Sequence, residues 1–256
     1  MKTIFLINPV AGRGRGKKYI NIINSNLNGK LRDGYNIFIT QKRGDAKDFA
    51  NKVKNEEIIL ACIGGDGTLN EIINGLGAFS NVVLSVLPIG SGNDFSRSVN
   101  GTSNLDTFFN KINGAIFKSI DIGSINFNNN EGKSINHLFL NSCGIGFDAL
   151  SAYYSNQKSR LKGLPLYLKA VTKSLRSYFP SEISIVIDKK IEIKGEKIMI
   201  SIGNGKTSGG GFFLTPQAEI DDGKLDIAIA EHVGLIKILS LLPRAINGKY
   251  INSIHV

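Results

Sequence analysis

An apolar run that ends in a glycine-rich turn constrains the fold of this chain more than any other feature. Ile58–Ile63 contains only apolar residues and leads directly into Gly64-Gly65-Asp66-Gly67-Thr68. A continuous apolar run bounded by glycines is typical of a strand buried on both faces, as in parallel sheets. The apolar residues after the turn recur at helical spacing. The sequence therefore predicts a strand, a tight turn and a helix.

The same order of elements recurs through the first 120 residues. Apolar runs at Thr3–Ile7, Asn36–Thr40 and Val82–Leu87 are each followed by a turn, and stretches of helical periodicity separate them. Strands that alternate with helices predict a parallel sheet covered by helices. Ligands bind such sheets at the carboxyl ends of the strands, where the turns lie. We therefore predict a ligand-binding α/β domain over residues 1–120.

The pattern changes near residue 120. Short β-like runs separated by Asn and Gly turns dominate the second half, interrupted by one helical stretch at Leu161–Phe179. The runs are Ile122–Phe127, Leu138–Ser142, Ile183–Ile187, Ile191–Ile193, Lys197–Ile202 and Leu225–Ala230. They predict a second, mostly antiparallel domain over residues 121–256.

Charge and cysteine content limit the classes of partner. The chain has 31 Lys and Arg against 21 Asp and Glu, a net charge of +10, which favours phosphate-bearing partners. Nucleic acid is not expected, because no recognition motif or basic-aromatic interleaving occurs. The two cysteines form no zinc or disulfide framework, and we expect buried reduced thiols. No apolar run reaches the ~18 residues of a membrane span, so we expect a cytoplasmic protein that meets membranes peripherally.

The turn at Gly64–Thr68 is the strongest chemical signal. Backbone N–H groups and the helix dipole at such a turn attract phosphate, and the glycines allow close approach. Asp66 would repel a phosphate unless a cation lies between them, which predicts Mg²⁺. The alternative is an ordinary tight turn in which Asp66 caps the helix.

Two other turns and one later aspartate add polar groups. Asn8 follows the first predicted strand, and Arg13, Arg15, Lys17 and Lys18 come after it. These bases either add charge for phosphates or form a solvated helix start. Asp94 ends the turn that begins at Gly90, and Asp121 opens the next predicted strand. With Asp66 they would place three carboxylates at loop ends, able to hold a metal through water or to serve only as caps.

Three segments, in this order and spacing, resemble the diacylglycerol kinase catalytic superfamily. They are Asn-Pro-x-x-Gly from Asn8, Gly-Gly-Asp-Gly-Thr-Leu-Asn-Glu from Gly64, and Leu-Pro-Ile-Gly-Ser-Gly-Asn-Asp-Phe from Leu87. The stretches Asn141–Asp148 and Thr215–Asp226 are similar to that family's second-domain motifs, so the resemblance covers nearly the whole chain. The superfamily includes sphingosine kinases, bacterial soluble diacylglycerol kinases and YegS-like lipid kinases.

The resemblance implies both the fold and the reaction. It implies a nucleotide-binding α/β domain like that of phosphofructokinases and NAD kinases, followed by an antiparallel β-sandwich domain. It implies transfer of the γ-phosphoryl group of ATP to a lipid hydroxyl, of diacylglycerol or a related lipid. Gly-Gly-Asp-Gly also occurs in NAD kinases, so a kinase of a soluble acceptor such as NAD stays open. A non-catalytic nucleotide- or lipid-binding module is the third alternative.

The resemblance also implies site residues. The ATP site would be lined by Asn8, Gly12, Thr40, Gly64, Gly65, Asp66, Gly67, Thr68, Leu69, Asn70 and Ser91. The catalytic Mg²⁺ would be organised by Asp66, Asp94 and Asp121. A structural Mg²⁺ would be held by Glu219, Asp222 and Lys224, the first and last through main-chain carbonyls.

One departure from the family concerns the general base. Members carry it as a glutamate in an Asp-Gly-Glu segment near the C-terminus, and residues 1–256 contain no such segment. The family's final strands, which return to the first domain, are expected to be missing as well. We therefore expect residues 1–256 to bind ATP and to turn over slowly.

A predicted helix in the second half has two faces. Leu164, Leu168, Val171 and Leu175 form an apolar stripe, and Lys162, Lys169, Lys173 and Arg176 lie opposite. A basic face fits an anionic lipid surface, or is simply solvated. The expected partners are a lipid acceptor, an anionic membrane surface and a second copy of the chain in a homodimer.

Overall fold

The structure is a computed structural model that divides into two compact units. It describes residues 1–26, 34–78, 80–114, 117–155, 157, 163–178, 181–231, 240 and 243–248, without the side chains of 26 and 163–168. The first unit is Met1–Leu140 with Ile220–Asp222, and the second is Asn141–Glu219 with the chain from Gly223 on.

The first unit is built on a four-stranded parallel sheet. Its strands are β1 (Lys2–Ile7), β2 (Tyr35–Ile39), β3 (Ile58–Gly64) and β4 (Val83–Pro88), in the order β2-β1-β3-β4. Strand β3 is buried along its whole length, which explains why its sequence is a continuous apolar run. The predicted parallel sheet is therefore confirmed.

Helices cover both faces of this sheet. They are α1 (Ala11–Gly14), α2 (Gly16–Asn26), α3 (Asp45–Val53), α4 (Asp66–Leu76), α5 (Asp94–Ser98) and α6 (Leu105–Gly114). Successive residues of a strand point to opposite faces, so β3 supplies Leu60 and Cys62 to the core under α3 and α4. Its alternate residues Ala61 and Ile63 pack on the other face with α2 and α6.

A hairpin extends the first unit beyond the predicted boundary at residue 120. Strands β5 (Gly123–Asn128) and β6 (Ser134–Phe139) pair in antiparallel fashion. Ile122 and Leu138 pack on the same core cluster as helix α4, which is why the hairpin groups with the first unit. The amide of Asp121 donates to the carbonyl of Ile220 over 2.7 Å, which brings the short segment Ile220–Asp222 into this unit.

The second unit contains an antiparallel sheet. Its strands are β7 (Ser142–Gly146), β8 (Ser181–Ile187), β9 (Ile191–Gly203) and β10 (Asp226–Glu231), in the order β10-β9-β7 with β8 also paired to β9. The runs predicted as two strands within 191–202 form the single strand β9, in which Gly195 has φ of +117°. The prediction of one strand at Leu138–Ser142 was wrong, because β6 ends at Phe139 and β7 begins at Ser142.

Two helices accompany this sheet, α7 (Phe147–Ser155) and α8 (Gly163–Ser177). Helix α8 confirms the predicted helical stretch. In the described part of the chain, no helix combines the length and the apolar character needed to cross a membrane.

Candidate functional site

The turn between β3 and α4 leaves an open space at the start of the helix. Gly65 is extended, and its carbonyl accepts the amides of Thr68 (2.9 Å) and Leu69 (3.1 Å), so α4 begins at Asp66. The first amides of a helix have no acceptor within it, and the helix dipole makes this end attractive to anions. A Cβ placed on Gly67 would meet no atom within 4 Å. The donors and the free space fit a phosphate group.

Gly65 and Gly90 bring two turns into direct contact. A Cβ on Gly65 would lie 2.8 Å from the Cα of Gly90, and one on Gly90 would lie 2.7 Å from the Cα of Gly65. The amide of Ile89 also donates to the carbonyl of Gly64 over 2.8 Å. These two glycines are therefore required by the packing of the turn after β3 against the turn after β4.

Asn8 links the turn after β1 to the same helix. Its Nδ2 donates to Oγ1 of Thr68 over 2.9 Å, and its Oδ1 accepts the amide of Val10 over 3.1 Å. Its own amide donates to the carbonyl of Ile63 over 3.1 Å. Asn8 thus fixes the hydroxyl of Thr68, which is buried at the first turn of α4.

Arg15 has a role that its sequence position did not indicate. Its Nη2 donates to the carbonyls of Ile89 (2.9 Å) and Gly90 (3.0 Å), and its Nε donates to the carbonyl of Gly12 (3.2 Å). Gly12 has φ of +57°, and a Cβ there would overlap the carbonyl oxygen of Ile89. The guanidinium was expected to add charge for phosphates, and in the structure it joins the turns after β1 and β4.

Asp66 and Asp94 form the acidic part of the site. Oδ1 of Asp66 accepts the amide of Phe95 over 3.2 Å, and Asp94 is buried with an ion pair to Arg97 at 2.8 Å. Burial and, next, the negative charge of Asp94 raise the pKa of Asp66, although backbone amides of residues 93–95 oppose that rise. Two close carboxylates of this kind form a donor set that suits a hard divalent cation.

The third predicted carboxylate is placed by other contacts. Asp121 is partly buried, and the 2.7 Å hydrogen bond to Ile220 described above fixes its main chain. Among the residues that the structure describes, no group of three or more His, Cys, Asp or Glu side chains is arranged to hold a metal ion. Mg²⁺ commonly binds one or two carboxylates and completes its shell with water and substrate phosphates, so two carboxylates, Asp66 and Asp94, are enough to form a candidate donor set.

Other predicted ATP residues differ in their surroundings. Thr40 is buried beside β1, where its amide donates to the carbonyl of Ile7 over 3.0 Å, and Ser91 is exposed. Leu69 is 2% exposed and packs in the core, so its side chain is not available to a nucleotide and only its main chain is. Asn70 is exposed, and its Oδ1 lies 3.1 Å from Nε2 of His137. Leu69 was predicted as an ATP residue because it belongs to the glycine-rich motif, but it lies on the face of α4 that packs into the core.

The predicted structural Mg²⁺ residues lie on a turn that is mostly exposed. Glu219, Asp222 and Lys224 are all exposed, and Gly223 has φ of +74°. The neighbouring Asp221 pairs with Lys118. The cation site on this turn stays a prediction.

The basic face of α8 is visible in part. Lys169, Lys173 and Arg176 are exposed and Val171 is fully buried, in agreement with the predicted two faces. Nζ of Lys173 lies 4.2 Å from the ring centroid of Tyr154. Lys162 and the side chains of Leu164 and Leu168 lie outside the described residues.

Sequence reasoning missed the contacts that hold α4 in place. Oε2 of Glu71 accepts the amide of Gly44 over 3.1 Å, and Asn74 pairs with the main chain of Leu138. Gly44 and Leu138 are distant in sequence from the residues that they contact, so no local sequence pattern predicts these contacts. Both residues are polar, but so are Asp66, Thr68 and Asn70 of the same helix, so polarity did not single them out.

Comparison with known proteins identifies both halves of the chain. A family model described as the diacylglycerol kinase catalytic domain matches residues 2–125. A model described as the YegS C-terminal NAD kinase beta sandwich-like domain matches residues 141–256.

Bacterial relatives match along nearly the whole chain. The diacylglycerol kinase of Bacillus subtilis is 30% identical over 259 residues, which cover 98% of this chain and 80% of that protein. A diacylglycerol kinase of Mycobacterium tuberculosis is 28% identical, with 98% and 80% covered.

Solved structures share the fold. A Bacillus anthracis protein assigned as a diacylglycerol kinase has a TM-score of 0.74 at 24% identity, covering 95% of this chain and 80% of its own. A further diacylglycerol kinase structure from Bacillus anthracis has a TM-score of 0.67 at 24% identity, covering 93% of this chain and 76% of its own. The expected α/β domain followed by an antiparallel β-sandwich domain is confirmed. Together with the family models and the Bacillus subtilis relative, the turns at Asn8, Gly64 and Gly90 show that this chain belongs to the diacylglycerol kinase family of lipid kinases.

Proposed function

We propose that this chain transfers the γ-phosphoryl group of ATP to the hydroxyl of diacylglycerol or a related lipid, at the N-terminus of helix α4. The observation that carries the proposal is the open first turn of α4 next to the Asp66–Asp94 pair. The names of the bacterial relatives support diacylglycerol as the acceptor.

The phosphate groups of ATP bind at the first turn of α4. The amides of Asp66 and Gly67 donate to phosphate oxygens there, and Thr68 is held ready by Asn8. Arg15 keeps the turns after β1 and β4 closed around this position. Phosphoryl transfer needs positioning and charge neutralisation more than covalent chemistry, and this turn supplies both.

The acidic pair holds Mg²⁺. Asp66 and Asp94 are the residues that bind it, and the ion supplies neutralisation of phosphate charge when bound. The ionised form of Asp66 is disfavoured in the protein alone, because burial and Asp94 raise its pKa. A nearby cation favours the ionised form, so binding of the metal and ionisation of Asp66 support each other.

The lipid is reached by peripheral docking on an anionic membrane. Lys169, Lys173 and Arg176 are exposed along one helix, and each contributes about 1 kcal/mol of attraction near such a surface. Changing all three to Gln should weaken co-sedimentation with vesicles of anionic phospholipid and make the residual binding less sensitive to salt. ATP binding should not change.

A matched control for this test lies on the β8–β9 hairpin. Lys189, Lys190 and Lys194 are exposed there, and changing them to Gln removes the same net charge. Equal co-sedimentation of the two triple variants would mean that overall charge, rather than helix α8, drives docking.

The function is tested by following label from γ-³²P ATP. The protein is incubated with Mg²⁺ and one of three acceptors, namely phospholipid vesicles containing diacylglycerol, NAD in solution, or none. We expect label in phosphatidic acid with the vesicles alone. Label in NADP would favour the soluble-acceptor alternative. In the full-length gene product, ATP binding measured by calorimetry without transfer to any acceptor would favour a binding module.

Two expectations about location and assembly stay predictions. They are a cytoplasmic location with peripheral membrane contact, and a homodimer. Light scattering coupled to gel filtration measures the second directly.

A further inference from the structure

Arg97 forms an ion pair with one carboxylate of the Asp66–Asp94 pair. Its Nη1 donates to Oδ1 of Asp94 over 2.8 Å, and the two residues lie three positions apart on α5. Their side chains differ in burial, since that of Asp94 is 10% exposed and that of Arg97 is 47% exposed. The carboxylate therefore lies inside the protein, whereas the arginine side chain lies at its surface.

Breaking this ion pair would affect the two partners unequally. Arg97 can turn into water and keep its charge hydrated, because nearly half of its side chain is already exposed. Asp94 cannot, and a buried carboxylate that loses its counter-charge is strongly unfavourable. Asp94 therefore needs a positive partner, but a second cation could take the place of Arg97.

Asp66 adds a second negative charge close to Asp94. Its Oδ1 accepts the amide of Phe95, the residue that follows Asp94, over 3.2 Å, and the amide of Asp94 itself also bonds to the Asp66 carboxylate. The guanidinium of Arg97 supplies one positive charge, whereas two ionised carboxylates carry two negative charges. A divalent cation matches the charge of the pair, which Arg97 alone does not.

We propose that Arg97 is a counter-charge for Asp94 that a divalent cation replaces when it binds the Asp66–Asp94 pair. Arg97 thereby stabilises the metal-free protein and lowers its affinity for the cation, because like charges repel. Arg97 is a positioning residue, since it acts through Asp94. The proposal rests on the proposed function, which assigns Mg²⁺ to this pair.

The first experiment measures cation binding without nucleotide or lipid. Mn²⁺, a paramagnetic substitute for Mg²⁺, is titrated into the protein, and free Mn²⁺ is followed by electron paramagnetic resonance. In Arg97→Gln the Kd for Mn²⁺ should fall about 3- to 10-fold, because one repelling charge near the pair is gone. Lys52→Gln removes the same charge at an exposed position of α3 and should leave the Kd within about twofold. Unchanged or weaker binding by Arg97→Gln would overturn the proposal.

Thermal melts give an independent readout. In EDTA, Arg97→Gln should melt about 2–4 °C below the parent, because Asp94 has lost its counter-charge. Saturating Mg²⁺ should remove most of this deficit, since the bound cation supplies positive charge in its place. Arg97→Lys keeps the charge and should resemble the parent in both experiments. A deficit that Mg²⁺ does not reduce would mean that Arg97 only stabilises α5, and would overturn the proposal.

A double-mutant cycle tests whether Arg97 acts through Asp94. In an Asp94→Asn background, Arg97→Gln should no longer lower the melting temperature in EDTA, whereas independent effects would add. Additive effects overturn the proposal.

Two further variants separate this inference from the proposed function. If Asp66→Asn and Asp94→Asn both bind Mn²⁺ as the parent does, the assignment of Mg²⁺ in the proposed function fails, and this inference fails with it. If both variants bind Mn²⁺ more weakly but Arg97→Gln does not bind it more tightly, this inference fails alone.

Discussion

The pair Asp66-Gly67 and the pair Asp222-Gly223 are the same dipeptide in two different surroundings. The first lies at the carboxyl end of the fully buried strand β3, where amides from the turn after β4 hold the carboxylate. The second lies on an exposed turn, in which Gly223 takes a left-handed conformation. Sequence alone suggested a cation at both.

The difference shows where the binding chemistry comes from. Around Asp66, burial and a second carboxylate make the ionised state unfavourable. A bound cation would stabilise that ionised state, which water is too scarce to do at a buried carboxylate. Around Asp222 the turn is exposed to solvent, and solvent screening weakens the attraction between a carboxylate and a cation. A turn between adjacent parallel strands can collect groups from distant parts of the chain, whereas an exposed turn has mainly its own residues.

The largest effect should come from Asp66→Asn. If Asp66 holds Mg²⁺ at the phosphates, kcat should fall by about 10² or more, the usual scale for losing one electrostatic stabiliser. Asp222→Asn is the matched change at the other pair and should reduce kcat far less. Label transfer from ATP measures both, with circular dichroism to check the fold. Comparable losses in the two variants would remove the distinction between the turns.

The glycines of the Asp66 turn should separate binding from stability. Gly67→Ala places a methyl group in the open space over α4, so the Kd for ATP should rise at least about 10-fold, since that space is where phosphate binds. Its stability should hold or rise by about 0.5–1 kcal/mol, because Ala suits a helix better than Gly. Calorimetry and chemical denaturation measure the two quantities.

Gly65→Ala should show the opposite behaviour. Its Cβ would press against the Cα of Gly90, and overpacking of this kind costs about 1–3 kcal/mol. A Gly65→Ala protein as stable as the parent would mean that the two turns can move apart. Gly223→Ala is the comparison at the exposed turn, where a Cβ would lie in open space but the glycine has a positive φ, unlike Gly65.

The raised pKa of Asp66 predicts a pH dependence of stability. The folded protein binds this proton more tightly than the unfolded chain, so the free energy of unfolding falls as pH rises from about 4 through the raised value. Asp66→Asn removes this contribution. Without Mg²⁺, the variant should therefore match or exceed the parent in melting temperature at pH 7, and the difference should shrink towards pH 4. A variant that is less stable than the parent at pH 7 would contradict the assignment.

The smallest effect is expected at the exposed turn. If Asp222 holds a structural cation, added Mg²⁺ should raise the melting temperature of the parent more than that of Asp222→Ala. The measurement is a thermal melt over a series of Mg²⁺ concentrations without nucleotide. An equal Mg²⁺-dependent rise in melting temperature in both proteins would show that Asp222 does not hold a cation.

The sequence could predict the parts of the site that follow from local patterns. The buried run before Gly64 and the helical spacing after it placed the turn at the end of a parallel strand, and the order of turns placed Asn8 and Asp94 at the same edge. It could not predict the ties between segments. Arg15 bonds to carbonyls 74 and 75 residues away, and Asn74 pairs with a strand 64 residues away. Such contacts form only when distant segments pack together in the folded protein, so no periodic pattern in the sequence predicts them.

Each unit contains one cysteine thiol, and its reactivity reports local unfolding of that unit. Cys62 is completely buried in β3, and burial, with the charge of Asp66 as a lesser cause, raises the pKa of its thiol far above the usual range. Cys143 in β7 is only partly buried, and its pKa is raised by burial and by Asp148. Thiolates are the reactive species, so alkylation of Cys62 has to wait until the parallel sheet opens. The unmodified protein therefore contains one thiol in each unit whose alkylation rate depends on local opening. The alkylation rate of Cys62 with and without ATP would measure how often the sheet that carries the phosphate turn opens.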